Sequence, residues 1–260
     1  MRIDFNKIGY FSFQHLVSLA VLFILIAAML YVSRKYFPNK TQLQLKILCV
    51  AAWVAEVIKI IVTYAIGKFA WSTILPLYFC SLFLYSSVFA AFSKNSTLKL
   101  IGNASLMAGT IAGFFGIIYS PALKYYPVYT YLGAHTLIYH AAMIYSGILI
   151  LVTNYYTPKF KDMMYSSLLF LSLTVAAVIA NAAFDANYMF IRTPLEGAPT
   201  YIIAKIFTDA LYPIIVVLGQ IILPFLIMIG FYNLLSKKKA DKKNIVLDDD
   251  IMEKLHTENR

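Results

Sequence analysis

Reactive and ionisable side chains occur at a few positions inside strongly apolar stretches of the sequence. Cys80 is a candidate nucleophile, and the histidines His135 and His140 lie together in a later apolar stretch. Glu56 and Lys59 are three positions apart, so on a helix they share one face and form a candidate ion pair. The thiolate is the nucleophilic form of cysteine, and a thiol inside a membrane needs a nearby base to form it.

The elements that carry these side chains are predicted to be membrane-spanning helices. Of the 260 residues, 61% are hydrophobic and 13% are charged, whereas a soluble domain has about 25% charged residues. Windows of about 20 residues predict an all-α membrane protein, a bundle of seven transmembrane helices within residues 1–236. The predicted spans are 14–32, 44–66, 74–92, 99–119, 133–153, 164–184 and 212–235, and residues 237–260 are predicted to form a charged cytoplasmic tail.

The basic residues predict the orientation of the bundle, because Lys and Arg concentrate in cytoplasmic loops. The loops after the first, third and fifth spans, together with the start of the tail, carry 13 Lys and Arg residues, against 6 on the other side. Arg2 and Lys7 are among those 6 and oppose this orientation for the first helix. We therefore expect a multi-pass protein of the cell membrane with an external amino terminus and a cytoplasmic carboxyl terminus.

The net charge of +10 does not indicate a nucleic-acid-binding protein. The lysines lie in short clusters beside apolar runs, and such clusters are typical of residues that set membrane topology. We predict no nucleic-acid partner.

Several polar side chains share one depth in the predicted bundle. At about 1.5 Å per residue, four of them lie about 10 Å below the outer ends of their helices. The four are Lys59, Cys80, His140 and Gln220, with Glu56 one turn deeper and Asn181, Asn187 and Arg192 nearer the outer surface. Ionisable groups inside a bilayer are costly and usually functional. The layer therefore predicts a site just below the outer headgroups, where the ester linkages of a phospholipid lie.

The spacing of the histidines and cysteines limits their roles. His135 and His140 are about 140° apart around a helix, so only one of them can face the site, and the spacing does not decide which. Cys49 lies near the cytoplasmic end of its predicted helix, so we expect no disulfide with Cys80. Few acidic residues lie near the histidines, and we predict neither a metal nor another cofactor.

Three further features concern helix packing. Pro76 is expected in the first turn of the third helix, where its missing N–H costs little, and Cys80 would then lie one turn deeper on the same face. The small residues of Gly109–Gly116 predict a close contact between helices. Glu56 and Lys59 also have a purely structural interpretation, in which they neutralise each other and hold helices together.

Three short motifs in order resemble those of a known family. They are Leu75–Cys80, the pair His135 and His140, and Asn187–Phe190 followed by Pro194. In these motifs the chain resembles the YwaF-like integral membrane proteins of bacteria, which are similar to the transmembrane protein 164 family of animals. The likeness covers nearly the whole chain, and Tyr78 stands where relatives often have His.

The resemblance implies acyl transfer between a phospholipid and a lysophospholipid, with Cys80 as the nucleophile. His140 matches the depth of Cys80 better than His135 does, and we expect it to be the general base. By side-chain type, Asn181, Gln220 or a tyrosine would donate to the oxyanion. Arg192 and Asn187 would bind the lipid headgroup.

Other functions fit the same polar layer. A lipid hydrolase would use the same residues with water as the acceptor. A transporter or channel would also gather polar groups at one depth, and it predicts inverted repeats and helices broken within the membrane. In a structural or sensory protein the layer would only pack helices. The sequence does not predict an oligomeric state.

Overall fold

The computed structural model describes residues 9–119, 121–195 and 199–258, with side chains in the last helix described as far as Lys237. Throughout this described part the chain forms helices and no strand. The α-helices are α1 (Phe13–Tyr36), α2 (Thr41–Ala65), α3 (Trp71–Ile74), α4 (Leu82–Phe92), α5 (Ser96–Tyr119), α6 (Tyr131–Val152), α7 (Met163–Phe184), α8 (Pro199–Ile206) and α9 (Tyr212–Glu258). Short 3₁₀ turns lie between them, at Pro38–Lys40, Phe79–Ser81, Pro121–Lys124, Phe160–Asp162 and Tyr188–Phe190.

The apolar helices make this a polytopic all-α membrane protein. Five helical stretches of the described chain are long and apolar enough to cross a membrane. They are Phe13–Tyr36, Ser96–Lys124, Tyr131–Val152, Phe160–Phe184 and Tyr212–Lys237, and a shorter apolar helix covers Phe79–Phe92. The last helix continues through the expected tail boundary to Glu258, while residues 1–8, with Arg2 and Lys7, lie outside the described residues.

The helix at the centre of the bundle is α5, which packs against α4, α6, α7 and α9. Its small residues allow this close approach. A Cβ on Gly113 would lie 2.9 Å from the carbonyl oxygen of His140, and a Cβ on Gly116 would overlap the His140 imidazole. The close contact expected from the run of small residues is therefore made with α6. At the edge of the bundle, α1 packs mainly on α6 and leaves most of its apolar surface exposed.

The third predicted span, 74–92, is not one continuous helix, and this expectation was wrong. The chain forms the single turn α3, an extended segment, the 3₁₀ turn Phe79–Ser81 and then α4. Leu75 ends α3 with φ −68° and ψ 140° because it precedes a proline, whose ring disfavours helical backbone at the residue before it. Pro76 therefore breaks the helix, and Cys80 does not lie one helical turn below it.

Candidate functional site

The break in the third apolar segment presents Cys80. The N–H of Leu77 donates to the carbonyl oxygen of Leu75 at 2.8 Å, which closes a tight turn around Pro76. Tyr78 is extended, and the next three residues form a 3₁₀ turn that leads into α4. Cys80 is the middle residue of that turn. Its thiol thus lies in a turn beside the start of a helix, where backbone N–H groups are not all used within the helix.

The Cys80 thiol is free and half-buried. The charged side chains that interact with it electrostatically are Lys59 and Glu56, whose effects on the thiol oppose each other. Cys49 is also free, but it is buried on the part of α2 nearer the cytoplasmic loop of the sequence analysis. The two thiols therefore have different surroundings, because only the Cys80 thiol interacts with charged side chains.

The charged side chains that interact with Cys80 form an ion pair on α2, and a histidine of α6 faces the carboxylate of that pair. The ammonium of Lys59 donates to Oε1 of Glu56, and Nε2 of His135 lies 3.6 Å from Oε2 of the same carboxylate. The side chain of Glu56 is 6% exposed and that of His135 is 9% exposed, whereas Lys59 is 24% exposed. A mostly buried carboxylate thus contacts two partners, and Lys59 reaches the more open side of the cluster.

One face of α6 holds this cluster together. Tyr131, His135 and Tyr139 are four residues apart and therefore line up along the helix. Tyr131 donates to the carbonyl oxygen of Ala55 at 2.6 Å, and Tyr139 donates to the carbonyl oxygen of Cys80 at 3.2 Å. The His135 ring stacks on Tyr139, with 5.6 Å between ring centroids and 18° between planes. This face links α2 to the turn that carries Cys80.

His140 faces a different neighbour. Its Nδ1 lies 2.6 Å from the carbonyl oxygen of Thr136, and because a carbonyl only accepts, Nδ1 carries the proton and Nε2 does not. The ring packs against Gly116 of α5 and meets Tyr139 edge-on at 5.7 Å. The structure therefore brings His135 together with Glu56 and Lys59, and it places His140 between α6 and α5.

Most of the remaining candidate residues do not surround Cys80 but bind a turn that the sequence predicts to be external, here called the outer turn. The turn is residues 185–195, between α7 and α8. Both ends of the Asn181 amide bind the backbone of Tyr188, at 2.6 and 3.1 Å, and Gln220 donates to the carbonyl oxygen of Met189 at 3.3 Å. These contacts use the amide groups that were expected to donate to an oxyanion, although Oε1 of Gln220 is buried and has no hydrogen-bond partner in the described structure.

The expected headgroup-binding residues also belong to this outer turn. Nη1 of Arg192 donates to Oδ1 of Asp185 at 2.7 Å and to the carbonyl oxygens of Asn181 and Ala186. Oδ1 of Asn187 accepts from the backbone N–H groups of Arg192 and Thr193. Arg192 keeps a side-chain exposure of 49%, so part of its guanidinium faces outwards.

Several tyrosine side chains make contacts around the break that the sequence did not predict. Tyr78 packs its ring on Tyr188 at 5.0 Å and on Phe190 at 5.5 Å, so it joins the outer turn to the segment before Cys80. Tyr139, Tyr85 and Tyr188 hydrogen-bond to backbone groups around the break. Only Tyr139 had a usable pattern in the sequence, since it follows His135 by one helical turn.

The described residues contain no group of three His, Cys, Asp or Glu side chains placed to hold a metal ion. The reactive groups of this site are the Cys80 thiol, the Glu56 carboxylate, the Lys59 ammonium and the His135 imidazole. Such a set can generate a thiolate and pass a proton.

The fold and the site define a class of protein: a polytopic helical membrane protein with a half-buried thiol in a broken third apolar segment. The chain belongs to the TMEM164 family, whose sequence model matches residues 10–232. This agrees with the resemblance drawn from the three short motifs. No curated protein and no solved structure matches the chain significantly.

Proposed function

We propose that the protein is an integral membrane acyltransferase that moves a fatty acyl group from a phospholipid to a lysophospholipid through a thioester on Cys80. The observation that carries the proposal is the position of Cys80, a free and half-buried cysteine in the break between α3 and α4, whose thiol interacts electrostatically with Lys59 and Glu56. Membership of the TMEM164 family supports the choice of a membrane-embedded substrate. The thiol is the only group of the cluster that forms a labile covalent acyl intermediate readily.

In the first step the Cys80 sulfur attacks the carbonyl carbon of the donor's ester, and the thiol proton passes to a base. The carbon–sulfur bond forms, the ester carbon–oxygen bond breaks, and the leaving lysolipid oxygen takes the proton from the base. In the second step the hydroxyl of the acceptor gives its proton to the base and attacks the thioester. The carbon–sulfur bond then breaks, and Cys80 recovers its proton.

We assign the role of base to His135 because it faces a carboxylate that can stabilise its imidazolium. Its Nε2 faces the carboxylate of Glu56 at 3.6 Å, a distance that tightens readily to a hydrogen bond when substrate binds. A proton held at Nε2 leaves Nδ1 free to accept another, and the carboxylate stabilises the imidazolium that forms. The nitrogen of His140 that lacks a proton lies against Gly116 instead, so His140 is the second choice.

Lys59 contributes its charge to the same step. A cation near a thiol favours the thiolate, which is the attacking species. Glu56 opposes this effect when it is alone, so its pairing with Lys59 and His135 is part of the proposed mechanism.

The proposed membrane arrangement has seven crossings, with the amino terminus outside and the carboxyl terminus in the cytoplasm. Two crossings are added to the five long apolar helices: α2, whose 25 residues reach about 37 Å, and the broken segment Trp71–Phe92. The charge asymmetry of 13 against 6 basic residues supports this orientation. Cys80 would then lie below the outer headgroups, at the depth of an ester linkage.

The experiment that tests the function gives the purified protein a phospholipid with a labelled acyl chain together with an unlabelled lysophospholipid. Mass spectrometry of the extracted lipids then identifies the product. An acyltransferase produces a labelled phospholipid built on the acceptor's backbone, whereas a hydrolase produces labelled free fatty acid. Absence of both products with well-folded protein would overturn the proposal.

A transporter is the second candidate, because a helix broken within the membrane is typical of transporter sites and the segment 75–78 is such a break. The two candidates differ in their need for the thiol. A Cys80→Ala variant retains transport in a transporter, since packing at this site tolerates the change, but it cannot form a thioester.

A further inference from the structure

The break before Cys80 leaves backbone groups that need partners. Pro76 keeps Leu75 extended, so the helical hydrogen bonding of α3 stops at Leu75, and Pro76 itself has no N–H to donate. Unpaired backbone groups are costly in a protein interior and more so in a bilayer. The partners that these groups find therefore determine how firmly the segment, and the thiol after it, are held.

The hydroxyl of Tyr188 binds two backbone groups of α3 and its C-cap. It accepts from the N–H of Leu75 at 3.1 Å and donates to the carbonyl oxygen of Trp71 at 2.5 Å. One hydroxyl therefore binds a backbone donor and a backbone acceptor at the start of the break. Tyr188 has no exposed surface, and it is 113 residues away from Leu75 along the chain. The contact is thus a tertiary one that joins the outer turn to the break.

Two further hydroxyls hold the rest of the segment. Tyr85 donates to the carbonyl oxygen of Pro76 at 3.3 Å, and Tyr139 donates to the carbonyl oxygen of Cys80 at 3.2 Å. These tyrosines come from α4 and α6, whereas Tyr188 comes from the outer turn. The segment from Trp71 to Cys80 is therefore fixed at its start, its middle and its end by hydroxyls from three different elements.

The backbone conformation of the outer turn fixes the position of Tyr188. Met189 and Phe190 have φ of +59° and +54°, which residues other than glycine rarely adopt. The backbone of the turn is held in this conformation by Asn181 on both sides of Tyr188 and by the hydroxyl of Tyr212, which donates to the carbonyl oxygen of Phe190 at 2.6 Å. The buried hydrogen bonds of Asn181 and Tyr212 thus hold Tyr188 in place.

We propose that Tyr188, Tyr85 and Tyr139 form a hydroxyl clamp that positions Cys80, with Tyr188 as its main positioning residue. The clamp holds the turn so that the thiol faces Lys59 and Glu56 and is shielded from other groups. The part of this proposal that concerns acyl transfer rests on the proposed function, while the part that concerns the placement of Cys80 does not. Two separate measurements therefore test it.

The first measurement is the alkylation rate of Cys80 by a membrane-permeable maleimide, in a Cys49→Ser background so that one thiol remains. Tyr188→Phe removes only the hydroxyl and leaves two buried backbone groups without a partner, so we expect alkylation about tenfold faster than in the parent. The matched control is Tyr145→Phe. Tyr145 is also buried, and its hydroxyl likewise contacts two partners, Ser33 and Gln44, away from the break. We expect the control to stay within about twofold of the parent.

If Tyr188 only stabilises the fold, Tyr188→Phe lowers the unfolding temperature as Tyr145→Phe does, and the alkylation rate of Cys80 does not change selectively. Equal alkylation rates in Tyr188→Phe and Tyr145→Phe would therefore overturn the clamp. If Tyr188→Phe does not fold, Tyr85→Phe gives the same test, since its hydroxyl holds the carbonyl oxygen of Pro76. An unchanged alkylation rate in a folded Tyr85→Phe variant would then count against the proposal.

The second measurement is acyl transfer by the same variants. A displaced thiol lowers kcat with little change in KM, because the groups of the clamp contact the backbone and not the lipid. Loss of transfer together with faster alkylation supports a positioning role. If the parent protein transfers no acyl group, the proposed function fails, and the alkylation result still decides whether the clamp positions Cys80.

Discussion

The hydroxyl of Tyr139 donates a hydrogen bond of 3.2 Å to the carbonyl oxygen of Cys80. The same aromatic ring stacks on His135 and meets His140 edge-on. Tyr139 therefore lies between the turn that carries the thiol and both histidines of α6. Only His135 has in addition a carboxylate beside it, that of Glu56.

The first prediction separates the two histidines. His135→Ala removes the imidazole that faces Glu56, so we expect acyl transfer to fall by about a hundredfold or more if it is the general base. His140→Ala removes a ring that packs on α5, and we expect a smaller loss of activity that follows the loss of folded protein. Turnover per folded molecule is the quantity to compare. A hundredfold loss in His140→Ala with full activity in His135→Ala would restore His140 as the base.

The second prediction concerns the ion pair on α2. Glu56→Gln leaves the ammonium of Lys59 without its buried partner, and breaking a buried pair in this way costs about 3 kcal/mol of stability. The double variant Glu56→Gln, Lys59→Met removes the unpaired charge, so we expect it to recover stability. Acyl transfer should stay low in both variants, because neither retains the carboxylate beside His135. Thermal unfolding in detergent and a transfer assay measure the two effects separately. Recovery of transfer in the double variant would show that Glu56 and Lys59 have only a structural role.

The third prediction uses two glycines of one helix. A Cβ on Gly116 overlaps the His140 imidazole, whereas a Cβ on Gly109 lies 4.0 Å from the nearest atom, the Cε of Met143. Gly116→Ala forces α5 and α6 apart or moves the ring, and we expect a loss of about 1–3 kcal/mol in the free energy of unfolding. Gly109→Ala is the matched control and should have little effect or stabilise the helix. Equal stabilities in the two variants would contradict the packing of His140 on Gly116.

The fourth prediction is the topology. We expect a cysteine probe at Glu196 to be labelled from outside intact cells and a probe at Lys242 to be protected, because the basic residues concentrate on the side of the tail. Both probes go into a Cys49→Ser, Cys80→Ser background. Glu196 lies outside the described residues, so this experiment tests the sequence argument alone. The reverse labelling pattern would place Cys80 near the cytoplasmic leaflet.

The helices were predictable because each apolar run is long and is bounded by polar residues. The expected span 99–119 forms a helix over Ser96–Tyr119, and the expected span 164–184 forms one over Met163–Phe184. The broken third segment was not predicted, because Pro76 was placed in a first helical turn, where proline is tolerated. Its effect on Leu75 is local, but the groups that compensate for it come from distant parts of the chain.

The site was predictable only in part. The sequence identified the side chains with reactive groups, and helical periodicity established that His135 and His140 face different directions. Periodicity does not specify which direction faces a neighbouring helix, so the contact between His135 and Glu56 could not be read from spacing. Tyr188 and Tyr139 are 2 of 20 tyrosines. The spacing places Tyr139 on the helix face of His135 but does not show that its hydroxyl reaches Cys80, and nothing in the local sequence distinguishes Tyr188.

The most direct test of the central claim is to find the acyl group on the protein. The purified chain is incubated with a phospholipid labelled in its acyl chains, without an acceptor, and the peptides are then analysed by mass spectrometry. We predict a labelled acyl group on the peptide containing Cys80, which neutral hydroxylamine removes because it cleaves a thioester. The label should persist in Cys49→Ser and disappear in Cys80→Ala. Acyl transfer that continues at the parent rate in a folded Cys80→Ala variant would contradict the account.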